Sequence, residues 1–268
     1  MTIVEQQQRA DTRRFLLGRR RGECSADELA ALAAAASPRI AIPARRTVVR
    51  RGEPLTDSLL VVSGVMCRHM DGRDGYRQIL SLQFPGDFVD LHGYPLGRLD
   101  HDVGTLSDVE VVRVPHARLA ELATDFPNLG RLMWFSTLLD AALHREWIFR
   151  IGRLEAIGRI AHLLCETNAR LAAVGLAADG RFEFPLTQAD IGEACGLTSV
   201  HVNRTMRRLR ETGLAEIGNR EARILDPARL AAVAEFVPDY LYLDEPSPPA
   251  NGGGLVPPPE RPRPSAAR

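Results

Sequence analysis

The chain contains no lysine; the 34 basic residues among its 268 are all arginine. That excludes chemistry resting on a lysine amine: a phosphate-binding-loop lysine, a Schiff-base lysine or a kinase-type lysine. Cysteine is scarce. Cys24, Cys67, Cys165 and Cys195 are scattered without CxxC spacing, as expected of a reduced, cytosolic protein. Long apolar runs are missing as well. The longest strictly apolar run, residues 29–36, is too short to span a bilayer, and the N-terminus lacks the apolar core of a signal peptide. A cytoplasmic location with no membrane partner follows. Formal net charge is zero, so there is no global basic field to draw in a polyanion. Any affinity for nucleic acid must come from a local concentration of charge.

Such a concentration exists at residues 198–212, where Arg204, Arg207, Arg208 and Arg210 face Glu211 alone. It lies in the stretch that organises the chain, residues 186–212. Thr187 is a good N-cap, and Asp190 three residues on resembles a capping box. Ile191, Ala194 and Cys195 share one helical face. Gly196 ends this helix because it tolerates a left-handed backbone, and Thr198 caps the next. Val202, Met206 and Leu209 recur at helical spacing and face inward. Ser199, Val200, His201, Asn203, Arg204, Arg207 and Arg208 remain outside. A second helix with that outer face suits the major groove of DNA: arginine reads guanine, asparagine reads adenine, and the remaining charges hold phosphate. The plainer reading is a helical hairpin with a solvated arginine face. The placement of Gly196, and a hairpin expected from residues 214–217 and 222–225 around Gly218-Asn219, favour a winged helix-turn-helix.

In chain order, residues 1–38 read as a polar lead-in and one helix, with Ser25 as cap. Residues 39–126 read as a β-roll, a jelly-roll-like sensor. Short strands at 47–50, 58–62, 65–70, 76–83 and 109–114 alternate with turn residues. Residues 127–152 read as one long helix with a broad apolar stripe. Leu129, Leu132, Leu139, Leu143 and Ile148 are its expected dimer contacts, and Gly152 is a candidate hinge. Residues 153–236 complete the DNA-binding domain. Residues 237–268 hold nine of the eighteen prolines and are expected to be disordered or extended. The fold class is therefore α+β.

This order of parts resembles the Crp/Fnr family of bacterial transcription regulators. The resemblance rests on Arg51-Gly52-Glu53, Ser63-Gly64, Asp71-Gly72, Pro85-Gly86-Asp87-Phe88, the long helix and residues 186–214. It implies a β-roll of cyclic-nucleotide-binding type, a homodimer on a double-stranded inverted-repeat operator, and RNA polymerase as partner. In the family pattern the recognition helix offers a Glu and an Arg to base edges; these correspond to Val200 and Arg204. Members that bind cyclic AMP hold the ribose with a Gly-Glu pair and the phosphate with an Arg-Ser pair. Here Asp90-Leu91 and His101-Asp102 occupy those places, which argues against cyclic AMP. Only Cys24 stands where iron–sulfur members carry a cysteine cluster, which argues against that cofactor. Haem stays open, since a histidine can ligate it. The effector is unassigned, with Asp90, His92, His101 and Asp102 as candidate effector residues. Asp90 and His92 would share a face if they lay on one strand. His69, His116, His144 and His162 read as isolated surface or core residues.

Two other classes compete. A metal-dependent cupin-like enzyme, or a metal sensor, would use Asp90, His92 and His101. A cupin also needs a pair of histidines one residue apart, which is missing. A scaffold protein working through the proline-rich tail leaves the arginine-bearing helix unexplained. The expectation is a regulator, not an enzyme, with no assigned metal.

Overall fold

The computed structural model describes residue 7 and residues 11–244. Seven strands build the N-terminal roll: β1 (Ile40–Ile42), β2 (Thr47–Val49), β3 (Asp57–Ser63), β4 (Met66–Asp71), β5 (Arg77–Gln83), β6 (Asp102–Thr105) and β7 (Val109–Pro115). They pair antiparallel in two sheets, ordered β1-β7-β3 and β2-β6-β4-β5. Alternation along the strands turns Val49, Leu59, Val61, Met66, Val103, Val109 and Val111 into a shared core. Burial of each such side chain contributes about 1.5–3 kcal/mol. The five strands expected from sequence are present. β1 and β6 were not anticipated; with three and four residues, they are strands because β7, β2 and β4 pair with them.

Helix α1 (Ala26–Ala35) starts from Ser25 and Glu28 in a reciprocal capping box. The single turn α2 (Gly93–Leu96) lies between β5 and β6, and α3 (His116–Asp125) follows β7. Next come the long helix α4 (Pro127–Arg153) and α5 (Ala156–Ala173). Pro127 sits at the first helical position, where its missing N–H costs nothing. Gly152 remains inside α4; the chain breaks at Leu154, which is extended (φ −80°, ψ 148°). The C-terminal part contains β8 (Ala177–Ala178), β9 (Arg181–Glu183), α6 (Gln188–Cys195), α7 (Ser199–Glu211), β10 (Ala215–Gly218), β11 (Glu221–Ile224) and α8 (Pro227–Ala234). Its sheet has the order β10-β11-β9-β8. No helix among the described residues is long and apolar enough to cross a membrane.

Two expectations need correction. Four of the five residues assigned to a dimer contact are buried within the chain itself. Leu129 and Leu132 pack with Phe15, Leu32, Leu119 and Leu122. Leu139 and Leu143 pack on Leu241, with Phe236 and Tyr240 beside them. Only Ile148, 73% exposed, is left outside. The helix carries two apolar stripes, and the second holds Trp134 (65%), Leu138 (51%) and Ile148. The tail also begins later than expected. Residues 238–241 form a 3-10 turn whose Leu241 is fully buried. The Tyr240 hydroxyl donates to Glu166 Oε2 at 2.8 Å. Residues 245–268, the rest of the segment expected to be disordered, lie outside the described residues.

Candidate nucleic-acid interface and effector pocket

The helix-turn-helix is built by its caps. Thr187 accepts from the Asp190 N–H, and Asp190 accepts from the Thr187 N–H at 2.7 Å. Gly196 closes α6 in the left-handed conformation (φ 62°, ψ 44°), and Thr198 caps α7. A side chain at Gly192 would put its Cβ 2.5 Å from the Leu197 carbonyl oxygen. The turn therefore needs glycine there too, a requirement hidden in the sequence because it arises from a contact across the turn. Val202, Thr205 and Leu209 are buried, with Met206 half-buried. Met206 packs against the same core as expected, and Thr205 is buried beside it. Thr187, Thr198, Ser199, Val200, His201, Asn203, Arg204, Arg207 and Arg208 are exposed. Arg207 donates to Glu211 on its own helix at 2.7 Å. Among the described residues no carboxylate pairs with Arg204 or Arg208.

β10 and β11 form the wing. Its tip is Asn219-Arg220, both left-handed, one residue beyond the expected Gly218-Asn219 turn. A groove of 650 Å³ separates the wing from α7; Asn203, Arg207 and Arg210 face Arg181, Asn219 and Arg223 across it. Sequence reasoning missed Arg181 and Arg223, whose positions emerge only when β9 pairs with β11.

A second cavity, of 780 Å³, lies between the roll and α4. His92, Asp100 and His101 enter from the loop between β5 and β6, and Arg68 from β4. Asp140, His144, Trp147, Ile148 and Ile151 come from α4. Arg68 is 1% exposed; its Nε donates to the Val89 carbonyl at 2.6 Å and Nη2 to Asp140 at 2.7 Å, tying roll to helix. The rings of His92 and His101 lie 5.3 Å apart, and His101 Nδ1 meets Asp100 at 2.8 Å. Burial, with Arg68 nearby, lowers the pKa of His92 to about 3 and also lowers those of His101 and His144. All three imidazoles are neutral at physiological pH, so the cavity is apolar with neutral nitrogen donors and acceptors. His144 is thus not isolated. Neither are His69, fully buried beside Asp71, and His162, which meets Glu146 at 3.2 Å.

Residues 39–125 match the family model of the cyclic nucleotide-binding domain, and residues 158–233 match that of the Crp-like helix-turn-helix domain. The transcriptional activator protein FnrL of Cereibacter sphaeroides is 31% identical over 213 residues, 77% of this chain and 84% of FnrL. The chain belongs to the Crp/Fnr family. The nitrogen fixation regulation protein FixK of Bradyrhizobium diazoefficiens is 28% identical over 73% of this chain and 81% of its own. The solved structure of FixK2 from Bradyrhizobium japonicum superposes with a TM-score of 0.65 at 24% identity, over 74% of this chain and 96% of that one. This Crp/Fnr chain is a DNA-binding transcription regulator, and the relatives named here are regulators too.

The fold family implies a cyclic nucleotide in the second cavity, and this Crp/Fnr chain does not fit one. The lining arginine, Arg68, is already bound to Asp140 and Val89, and among the described residues no second arginine lines the cavity to form a phosphate fork. Of the four candidate effector residues, only His92 and His101 reach the cavity. Asp90 and His92 do not share a strand face, because the chain there is a bend leading into α2. Asp90 is fully buried, and its Oδ1 accepts from the Leu59 N–H at 2.7 Å. Asp102 starts β6 and accepts from the Arg51 N–H. An Asp90, His92, His101 metal set is therefore not assembled. No cysteine belongs to a group of three or more metal-ligand side chains among the described residues.

Proposed function

We propose that two copies of this Crp/Fnr chain pair through the outer stripe of α4 and read an inverted-repeat operator with α7. Trp134, Leu138, Ala141, Arg145 and Ile148 recur at spacings of four and three, the seam of a two-helix coiled coil. Residues 39–126 act as sensor, 127–152 as dimer helix and 153–236 as DNA-binding domain, with RNA polymerase as the downstream partner. Arg204 contacts guanine O6 and N7 in each half-site. Val200, 75% exposed and without an acceptor, touches a thymine methyl rather than a cytosine amine. Asn203 adds an adenine contact, while Arg207, Arg208 and the arginines of the wing groove hold phosphate. Half-sites lie about one helical turn, roughly 34 Å, apart. The 780 Å³ cavity receives an effector other than cyclic AMP, one suited to neutral imidazoles and an apolar wall.

The observation that carries this reading is the exposed face of α7, with Arg204 unpaired among the described residues. Binding-site selection tests it. Arg204→Ala should relax one base pair per half-site at a cost of about 1–3 kcal/mol. Arg208→Ala should weaken all sequences alike and flatten the salt dependence. If Arg204→Ala selects the wild-type motif with no base relaxed, Arg204 is a backbone contact only.

A further inference from the structure

His69 and Asp71 stand two residues apart on β4, so they leave the same face of the sheet. Asp102 is the register partner of His69 on β6. One ligand-type atom from each of the three lies within 4.8 Å of the other two. The His69 side chain is 1% exposed, and neither of its ring nitrogens has a hydrogen-bond partner. Buried imidazole nitrogens left in that state are rare, because they forgo hydration with no compensating bond. The ring is pinned: a Cβ on Gly104 would stand 3.3 Å from its Nε2. Nδ1 faces Asp71 Oδ1 at 3.5 Å, longer than a hydrogen bond. Asp102 is oriented by the Arg51 N–H at 2.8 Å on Oδ1. Asp71 is half exposed and is balanced by the Arg77 guanidinium, Nε to Oδ1 at 3.1 Å.

We propose that His69, Asp71 and Asp102 form a binding site for a divalent cation. The ion is held by one imidazole nitrogen and two carboxylates, and water completes its coordination. Two hard oxygen donors with one imidazole suit Mn²⁺-class ions. One buried nitrogen of His69 gains a partner it lacks, and Arg77, 36% exposed, swings from Asp71 into solvent when the ion arrives. Arg68, between Cys67 and His69, points to the opposite face and lines the other cavity. The cation site is therefore separate from the effector pocket and needs neither DNA nor effector to be occupied.

Mn²⁺ is the probe, since it avoids the buried thiol of Cys67 on the same strand face. The purified full chain is titrated with Mn²⁺, and the free ion is followed by electron paramagnetic resonance. One bound ion per chain is expected, with nitrogen modulation from the imidazole in its pulsed spectrum. Asp71→Asn and Asp102→Asn should each weaken binding on the order of tenfold or more. Asp71 is at the surface, so its variant keeps the fold and stays informative even if a His69 variant does not fold. No stoichiometric ion at about 1 mM Mn²⁺, the weak limit of such sites, overturns the proposal. So does a bound ion that lacks nitrogen modulation or is indifferent to both substitutions.

Discussion

Asp90 is a carboxyl group with little reason to ionise. Burial pushes its pKa up to about 7. The Leu59 N–H satisfies Oδ1, while Oδ2 has no protein partner among the described residues. Between about 4 and 7 the folded chain holds a proton on Asp90 that the unfolded chain has lost. The associated stabilisation is complete below the ordinary aspartate range and is lost as pH rises through about 7. Asp90→Asn keeps the acceptor for Leu59 and carries no charge. Thermal melts should therefore show the variant gaining on the wild type from pH 5 to pH 8. An equal pH dependence in both chains would mean that Asp90 is not protonated in the folded state. The same burial logic separates residues of one loop: Asp90, read as an effector ligand, accepts from the Leu59 N–H, whereas His92 and His101 line a cavity.

At the scale of elements, α4 shows how a helix can present two apolar faces. Leu139 and Leu143 bury against Leu241, whereas Trp134 and Leu138 stay 65% and 51% exposed. An aspartate at Leu139 would place a charge in the core without a partner, so Leu139→Asp should unfold the chain. Leu138→Asp changes an exposed position and should leave the melting temperature of the chain nearly intact while abolishing the proposed dimer. Light scattering of Leu138→Asp that still reports a dimer would place the interface elsewhere. The helix-turn-helix was legible in the sequence because its signals are local: Thr187 with Asp190, Gly196, Thr198, and a polar face on α7. The stripe of α4 was legible as apolar, but its partner was not. Leu241 lies far along the chain in a segment whose prolines read as disorder. The cavity was half legible for the same reason. His92 and His101 are close in sequence, whereas His144 reaches them only through the docking of α4 on the roll.

In the whole molecule the roll holds the first helix of the DNA-binding motif. Arg45, itself in a left-handed conformation, makes a two-pronged contact with Asp190. The Tyr76 hydroxyl donates to the Gly192 carbonyl at 3.4 Å, and Gln78 Nε2 donates to the Glu193 carbonyl at 2.6 Å. From the other side Arg150, buried on α4, donates to the Ala194 carbonyl at 2.8 Å, and Arg159 to that of Cys195 at 3.2 Å. Both arginines meet the negative end of α6, where cations are favoured. Asp190 thus serves as capping residue and as interdomain anchor at once. Burial alone would raise its pKa, yet Arg45 and Thr187 outweigh burial and hold it below the ordinary aspartate value. The clasp is therefore complete at and above that ordinary value and weakens as pH falls through the lowered one. Arg45 is 46% exposed, so water screens its end of the pair although Asp190 is buried, and the pair is worth on the order of 1 kcal/mol. Arg45→Ala should then speed amide exchange across residues 188–196 by about two- to fivefold at neutral pH, leaving the strands of the roll unchanged. Unchanged exchange across 188–196 would show that Tyr76, Gln78 and the two arginines hold α6 without Arg45. Faster exchange throughout the roll would instead mean that the substitution destabilised the sensor rather than the clasp.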